Sequence, residues 1–482
     1  MRVGPMLLSL LGAVALLGAA PAPKNDWRPV VSGRLANGVR YAILPRRGSE
    51  PGVALLMRNE GGFIAEQRPG ERGLAHLIEH LFFHSPTKAA PDDVHRFLRI
   101  GLPLTFSAPT AGTTTWRESN YFVSTKSAAP HGLDTLLRLF REVATDLTFR
   151  ADTVAEQRAD VMREMAWRKP GNDTYARYIA AVAPGSPTDV IDAQNSDDVP
   201  TASIGTIRRL YRRLYQPQNM MVVVVGPVDP VRTRALIAKR FGGWRGSARA
   251  TPRTAYPSFD PVRITPISVA ALPEGRRSTV MTVVMPNPPV PASRTAQADA
   301  AILDMLAMRA VGDRLAQGQA GKAGAFIEHG ENGHRLIILW DDITDDRWAQ
   351  SVTNLKRTTC DLRENGFTDA EWNAARRNVL DELKQRARSM ASVPSVELAK
   401  DLSHALADGR ALIPPDELLT RARLLLPATD RAAGSRWWRS QWTAAREHLR
   451  VEAPALATVA DPIAAVRTTA DDAVGTACKI RR

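Results

Sequence analysis

The stretch of sequence that decides the fold covers residues 73–83 and reads GLAHLIEHLFF. It places His76, Glu79 and His80 one helical turn apart, within an apolar run that predicts a helix over 73–84. Positions i and i+4 of a helix share a face and position i+3 lies beside them, so the three side chains can converge on one ion. This arrangement is typical of a metal-dependent hydrolase.

The order His-x-x-Glu-His indicates which metal to expect. Two neutral imidazoles suit Zn2+, and a carboxylate that does not bind the ion can take a proton from metal-bound water. The pattern is the inverse of the more common His-Glu-x-x-His motif and is the signature of inverzincins. The alternative is a pair of core-facing histidines on an amphipathic helix. With nine histidines in 482 residues, chance seldom produces this pattern, so we favour the metal site.

The N-terminal residues have the composition of a secretory signal peptide. A basic start, Met1-Arg2, precedes an apolar run over residues 6–17 that is too short to span a bilayer and leads into small residues. We therefore expect residues 1–22 to be a signal peptide and the mature chain to be a soluble periplasmic protein with no stable membrane span. An uncleaved anchor is the alternative.

Charge and cysteine content argue against two other kinds of site. The net charge is +14, but the arginines are spread along the chain instead of being concentrated on one element, so we expect no nucleic-acid partner. The two cysteines, Cys360 and Cys478, are far from the histidines in sequence and could form one disulfide in an oxidising compartment. A cysteine zinc site or thiol nucleophile is therefore poorly supported.

The length of the chain is sufficient for more than one hydrophobic core. A stretch rich in Gly, Ser, Arg and Pro over residues 245–265 interrupts the periodic pattern. The sequence therefore predicts a catalytic domain over 28–247, a second domain without zinc over 262–455, and a poorly ordered tail over 456–482. Strands mixed with helices predict an α+β fold of two tandem α/β-layer domains.

Hydrophobic periodicity predicts the main elements of both domains. The first domain has predicted strands at 53–58, 120–125 and 220–226 and helices at 73–84, 91–100, 132–148, 152–168, 203–214 and 229–241. The second has predicted strands near 278–285 and 335–340 and helices near 294–316, 346–365 and 368–389.

A catalytic zinc site needs a third protein ligand, and the acidic helix predicted over 152–168 is its obvious source. Gln157 and Glu164 recur there at helical spacing, so both can lie on one inward face. Glu164 is our choice for the ligand, and Asp160 and Glu156 are rivals by charge alone. The alternative is a solvated acidic face.

Three segments, in order, resemble the pitrilysin/insulinase/mitochondrial-processing-peptidase family of inverzincin metallopeptidases. Residues 73–83 resemble its zinc helix, 163–165 the segment with its glutamate ligand, and 208–244 the end of its catalytic domain. Residues 366–372 match the second domain in pattern only. The chain is thus identified as a two-domain, half-size bacterial member, with the LuxS/processing-peptidase-like fold that the family implies.

The resemblance also implies roles for individual residues. His76, His80 and Glu164 would hold one zinc ion per chain. Glu79 would be the catalytic residue that activates water for attack on a peptide carbonyl. Zinc would polarise that carbonyl and lower the pKa of the water toward ~7.

At two places the sequence departs from the family pattern close to these residues. Gln157 stands where the family usually has a glutamate that supports a histidine, so the support remains but its charge is lost. Ala111 and Gly112 align with the substrate-binding edge, where an Asn-Ala pair is usual. A side-chain contact to the substrate backbone is therefore lost.

A further departure bears on assembly. The family often has an arginine and a tyrosine that reach over the active site, and the best-matching positions here are Gln319 and Phe326. Members enclose their substrate between two halves, and this chain supplies one. We therefore expect a periplasmic zinc endopeptidase for peptides or unfolded polypeptide segments, completed by a second subunit that carries the arginine and tyrosine, with a heterodimer favoured over a homodimer. The alternative is a non-catalytic scaffold or peptide-binding subunit of the same fold.

Overall fold

Two β-sheets, each with helices packed on it, form the framework of the chain. The structure is a computed structural model, and it describes residues 27, 29–47, 52–93, 104–105, 111–125, 130–182, 184, 196–246, 261–271, 277–286, 288–317, 322–329, 334–343, 346–442 and 446–477.

The first sheet is built around the continuous apolar run near residue 222. Its strands are β1 (Val31–Arg34), β2 (Arg40–Pro45), β3 (Val53–Asn59), β4 (Leu104–Thr105), β5 (Gly112–Thr114), β6 (Ser119–Thr125) and β7 (Met220–Gly226). Their order is β1-β2-β7-β3-β6-β4, and β5 also pairs with β6. Every residue of β7 is buried, since helices cover both faces of the sheet there.

In the described part of the first half, five helices pack on this sheet. They are α1 (Leu74–His84), α2 (Pro130–Asp146), α3 (Ala151–Val182), α4 (Ile204–Leu214) and α5 (Pro230–Phe241). Their apolar stripes and one face of the sheet form a single buried core. Helix α1 contacts α3 and β5, so the two segments predicted to supply metal ligands lie side by side.

The second sheet contains β8 (Ile267–Ala270), β9 (Ser278–Pro286), β10 (Ala323–His329), β11 (His334–Asp342) and β12 (Glu447–Glu452), in the order β10-β11-β9-β12-β8. Its helices are α6 (Arg294–Ala316), α7 (Trp348–Glu364), α8 (Asp369–Ser389), α9 (Ser395–Ala407), α10 (Pro415–Ala428), α11 (Arg431–Gln441) and α12 (Pro462–Ala477). Short 3-10 helices occupy Phe63–Ala65, Pro217–Asn219, Pro261–Arg263, Met390–Ser392 and Pro454–Thr458. A capping box between Thr368 and Glu371 sets the start of α8.

Each half lends a helix to the sheet of the other half. Helix α9 buries Leu398 and Leu402 against the face of the first sheet opposite α1, together with β-strand side chains such as Leu56. At the far end of α3, Ile179 and Val182 pack against the second sheet. The two halves are therefore joined by two apolar contacts, one through α9 and one through the far end of α3.

The sequence-based prediction of the fold class is confirmed, because the structure is α+β with two tandem layered units. The predicted strands are present, and the predicted helices agree with the structure to within a few residues at most ends. Helix 152–168 is longer than predicted, since α3 continues to Val182. Most of the helix predicted over 91–100 lies outside the described residues, as do residues 1–22, which are predicted to be a signal peptide.

The prediction of a poorly ordered tail is wrong for residues 456–477. Helix α12 packs on α7, and Val466, Ala470 and Ala473 are buried. These small apolar residues recur at i, i+4 and i+7, which gives α12 one narrow apolar stripe within a composition rich in Ala, Thr and Asp.

The cysteines and the absence of a membrane span were also predicted from the sequence. Cys360 is buried in α7 and is disulfide-bonded, whereas Cys478 lies outside the described residues. Among the helices that the structure describes, none has the length and apolar character needed to cross a bilayer.

Candidate metal centre

The start of helix α1, which carries the two histidines, is held in position by residues outside the helix. Gly73 adopts a left-handed backbone (φ 83°), and a side chain there would collide with Ser196 and Val199. The Glu66 carboxylate accepts hydrogen bonds from the backbone N–H groups of Gly73 and Ala75, at 2.8 and 2.6 Å. These contacts satisfy two of the free N–H groups at the start of the helix.

His76, His80 and Glu164 come together between α1 and α3. Nε2 of His76 lies 3.6 Å from Oε1 of Glu164, and Nε2 of His80 lies 3.3 Å from Oε2. Zinc at about 2.0–2.2 Å from each donor in a tetrahedral arrangement would separate the donors by roughly 3.3–3.6 Å. The three ligand atoms lie within 4.8 Å of one another. The donor types and these spacings fit a zinc ion.

Glu164 is held as a carboxylate by its neighbours. Hydrogen bonds from His76 and His80 hold its pKa well below the usual range, although partial burial works against them. Arg168, one turn further along α3, contacts Oε1 of Glu164 at 2.8 Å. The rival residues do not join this cluster, because Asp160 pairs with Arg163 and Glu156 is exposed.

Gln157 occupies the inner side of His80. Its side chain is 1% exposed, and its amide oxygen lies 3.3 Å from Nδ1 of His80. An amide oxygen only accepts hydrogen bonds, so Nδ1 of His80 carries a proton, and a neutral ring in this tautomer would offer the Nε2 lone pair to a metal ion. The tautomer that a metal ligand needs is therefore set by an uncharged neighbour.

Glu79 lies on α1 between the two histidines but is not part of the ligand cluster. Burial raises the pKa of its carboxyl group above the usual value, while the two histidines and a hydrogen bond partly offset that rise. The hydrogen bond comes from the Thr114 hydroxyl to Oε2 at 2.8 Å. A buried carboxylate with a raised pKa is suited to accept a proton near neutral pH.

Strand β5 carries the residues predicted to contact substrate. Gly112 lies directly against Glu79, and a Cβ at this position would be 2.5 Å from Oε1 of Glu79. Ala111 precedes the strand and accepts a hydrogen bond from the backbone of Phe122 through its carbonyl group. Gly112 therefore leaves room for the Glu79 carboxylate beside the strand.

The two positions that match the family's arginine and tyrosine have different outcomes. Phe326 lies on the edge strand β10 and is 45% exposed. Gln319 lies outside the described residues.

Sequence reasoning missed two neighbours of the site. Arg168 follows Glu164 by four residues, so the helical spacing that selected Glu164 could also have found it. Thr114 follows Gly112 by two residues and so lies on the same side of β5. Neither residue belongs to a motif that draws attention to it.

Comparison with known proteins identifies the family of the chain. Residues 60–174 match the family described as insulinase, peptidase family M16, and residues 201–379 match the one described as peptidase M16 inactive domain. The chain belongs to the insulinase/pitrilysin family. The first match contains the two histidines, Glu79 and Glu164.

Two curated relatives are named as zinc proteases. The probable zinc protease PqqL of Escherichia coli is 30% identical over 240 residues, which cover 48% of this chain and 25% of PqqL. The zinc protease PqqE of Helicobacter pylori is 25% identical over 264 residues, which cover 54% of this chain and 56% of PqqE. The chain thus spans a quarter to about half of the length of these relatives.

Solved structures support the same fold. The periplasmic protease PqqL from E. coli superimposes with a TM-score of 0.78 at 20% identity, covering 94% of this chain and 51% of PqqL. The first half of PqqL alone gives a TM-score of 0.74, with 94% of this chain and 98% of that half covered. At 20% identity, this structural similarity supports the fold only.

Proposed function

We propose that this chain is a zinc-dependent endopeptidase that hydrolyses peptides or unfolded polypeptide segments. The observation that carries the proposal is the approach of two imidazole Nε2 atoms to one carboxylate, at 3.3 and 3.6 Å. A second carboxylate, Glu79, is buried beside them without joining the cluster. Three ligands and a separate base are the set that a catalytic zinc site requires.

His76, His80 and Glu164 are the residues that would hold one zinc ion per chain. Zinc in this position would supply a Lewis acid that activates water and polarises a peptide carbonyl. The chain contributes the orientation of its donors. Gln157 fixes the His80 ring through Nδ1, and Arg168 contacts the Glu164 carboxylate.

Glu79 is the proposed general base. Its carboxylate accepts the proton of the attacking water and can return a proton to the departing amine. Thr114 holds one oxygen of this carboxylate through its hydroxyl, and Gly112 leaves space for the other. Strand β5 thus positions the base, and its Ala111–Gly112 end supplies the proposed edge for the substrate backbone.

We further propose that the chain works in the periplasm as one half of a two-subunit enzyme. PqqL is described as a periplasmic protease, and the chain superimposes on the first half of PqqL; both facts support this arrangement. Phe326 lacks a hydroxyl group and offers only an apolar face on β10. A second subunit would then provide the arginine and tyrosine that contact the substrate, and we favour a heterodimer.

One observation favours a different function. Gln157 carries no charge where the resemblance implies a glutamate, and Phe326 lacks the hydroxyl of the implied tyrosine, so the chain offers less charge and one fewer polar group than the resemblance implies. A peptide-binding scaffold of the same fold would keep the cleft without turnover.

Peptide hydrolysis separates these two functions. The mature protein, alone and as the complex recovered from its native envelope, is incubated with zinc and a quenched-fluorescent peptide library. The matched variant is Glu79→Gln, which keeps size and removes the base. We expect hydrolysis by the parent and loss of most of it in Glu79→Gln with zinc retained. Peptide binding without cleavage in every preparation of the parent contradicts the proposal and supports the scaffold function.

A further inference from the structure

A tryptophan on the ligand helix lies almost entirely in solvent. Trp167 is 81% exposed, in the middle of α3 and three residues after Glu164. An exposed apolar residue is common on protein surfaces and by itself implies nothing. Its position on the helix, close to Glu164, is what makes it a candidate for substrate contact.

Helical geometry puts Trp167 beside the proposed metal centre. At 100° per residue, Trp167 lies about 60° from Glu164 on the side away from Val161, which is buried against α1. Residues three apart on a helix have Cβ atoms about 5–6 Å from each other. The indole is therefore next to a proposed ligand but outside the packed core.

The other exposed apolar side chains in the described part of the chain do not share this position. Met162 is on α3 but about 160° away from Glu164, and Leu424 is on α10 in the second half. Because Glu164 itself is 25% exposed, the metal centre opens toward solvent on the side of α3.

The neighbouring charges indicate what kind of substrate group Trp167 would meet. Arg168 is engaged with Glu164 at 2.8 Å, and Arg163 pairs with Asp160. Both guanidinium groups next to the tryptophan thus already have carboxylate partners. Among the side chains that the structure describes here, the indole ring is the exposed apolar surface, and aromatic or large aliphatic groups are what it binds best.

We infer that Trp167 is a specificity-determining residue that holds an aromatic or large apolar side chain of the substrate next to the scissile bond. The inference rests on the proposed peptidase function, since it assumes that a peptide lies across His76, His80 and Glu164. It adds a preference that those residues do not supply. Trp167 lies within a long helix that is packed at both ends, so its backbone has a defined position beside Glu164.

The test compares two substrates that differ at one side chain. A peptide cleaved by the parent is mapped by mass spectrometry, and each residue flanking the cleaved bond is set in turn to Phe or Ser. We expect the parent to prefer Phe at one flanking position by roughly tenfold in kcat/KM, as an aromatic contact of ordinary strength gives. Trp167→Ala should remove most of this preference by lowering kcat/KM for the Phe peptide far more than for the Ser peptide. Trp167→Phe should retain it.

Binding provides a readout that does not depend on turnover. Fluorescence anisotropy of labelled Phe and Ser peptides is measured with zinc-loaded parent and Trp167→Ala, and Leu424→Ala serves as the control for loss of an exposed apolar side chain. The Phe peptide should bind more tightly than the Ser peptide only while Trp167 is present. Zinc content should be the same in all three proteins.

Several results would overturn the inference. An equal loss for both peptides in Trp167→Ala, or no saturable peptide binding by the parent, removes the proposed contact. A change only in association state, with peptide preference intact, would assign Trp167 to a subunit interface. Failure of the proposed function looks different, because the parent would then bind peptide without cleaving it, or Glu79→Gln would hydrolyse peptide as fast as the parent, whatever residue 167 is.

Discussion

The side-chain amide oxygen of Gln157 lies 3.3 Å from Nδ1 of His80, while Nε2 of the same ring faces Glu164 at 3.3 Å. One imidazole thus connects an uncharged neighbour on its inner side to a carboxylate on its outer side. Gln157 is buried, so this contact is sheltered from water. It orients His80 without adding negative charge behind it.

Two substitutions of Gln157 should change zinc affinity in opposite directions. Gln157→Ala removes the contact to Nδ1, and loss of such a supporting group typically weakens metal binding by about 10–100-fold. Gln157→Glu keeps the contact and adds charge, so zinc should bind more tightly than in the parent. Competition with a chromophoric chelator measures both. Unchanged affinity in Gln157→Ala, with native circular dichroism, would show that this contact has no role.

Thr114 should affect catalysis without affecting the metal. Thr114→Val removes the hydroxyl that donates to Glu79 while keeping the shape of the side chain. A hydrogen bond to a charged group of this kind corresponds to a loss of roughly tenfold or more in kcat. Thr114→Ser is the matched control and should retain most activity. Loss of zinc from Thr114→Val would mean instead that the strand supports the ligands.

The extent to which sequence predicts this molecule depends on whether a contact is local. His76, Glu79 and His80 lie within one turn of a helix, so their spacing alone identifies them. Glu164 required helical spacing together with a family resemblance, since it is distant in sequence. Thr114 escaped notice because its contact with α1 exists only after β5 pairs with β6.

The sequence also did not predict the packing between the two halves. Helix α9 has an ordinary apolar stripe. The residues of that stripe do not indicate that they pack on a sheet formed by residues 31–226. The tail helix α12 was missed because its buried face consists mainly of Ala and Val residues. Both features follow from tertiary contacts between segments far apart in the chain.

The contact of α9 with the first sheet should contribute strongly to stability. Leu402 is fully buried in that contact, and Leu402→Ala should lower the free energy of unfolding by about 2–5 kcal/mol. Leu424→Ala, at a 65% exposed position, is the matched control and should change it by less than about 0.5 kcal/mol. Urea denaturation measures both. Equal effects of the two substitutions would contradict the role of α9.

His448 should make stability depend on pH. Burial lowers its pKa from 6.5 to about 4, with Arg450 acting in the same direction and a hydrogen bond to the carbonyl of Thr265 opposing them. Between these values the unfolded chain binds a proton that the folded chain does not, so stability falls as pH falls from 6.5 to 4. The gap corresponds to about 3 kcal/mol.

His448→Gln removes this titrating group and provides the check. Urea midpoints of parent and variant are measured between pH 4 and pH 7.5. The parent should lose more stability over this range than His448→Gln, even if the variant is less stable at pH 7.5. Parallel pH profiles would contradict the lowered pKa.

Zinc stoichiometry tests the metal centre most directly. Purified parent, Glu79→Gln and His80→Ala are dialysed against trace zinc. The zinc content per chain is then measured by elemental mass spectrometry. The parent and Glu79→Gln should each contain about one zinc ion per chain, because both keep the three ligands. His80→Ala should contain almost none while remaining folded by circular dichroism. A full equivalent of zinc in His80→Ala, or none in the parent, would contradict the site formed by His76, His80 and Glu164.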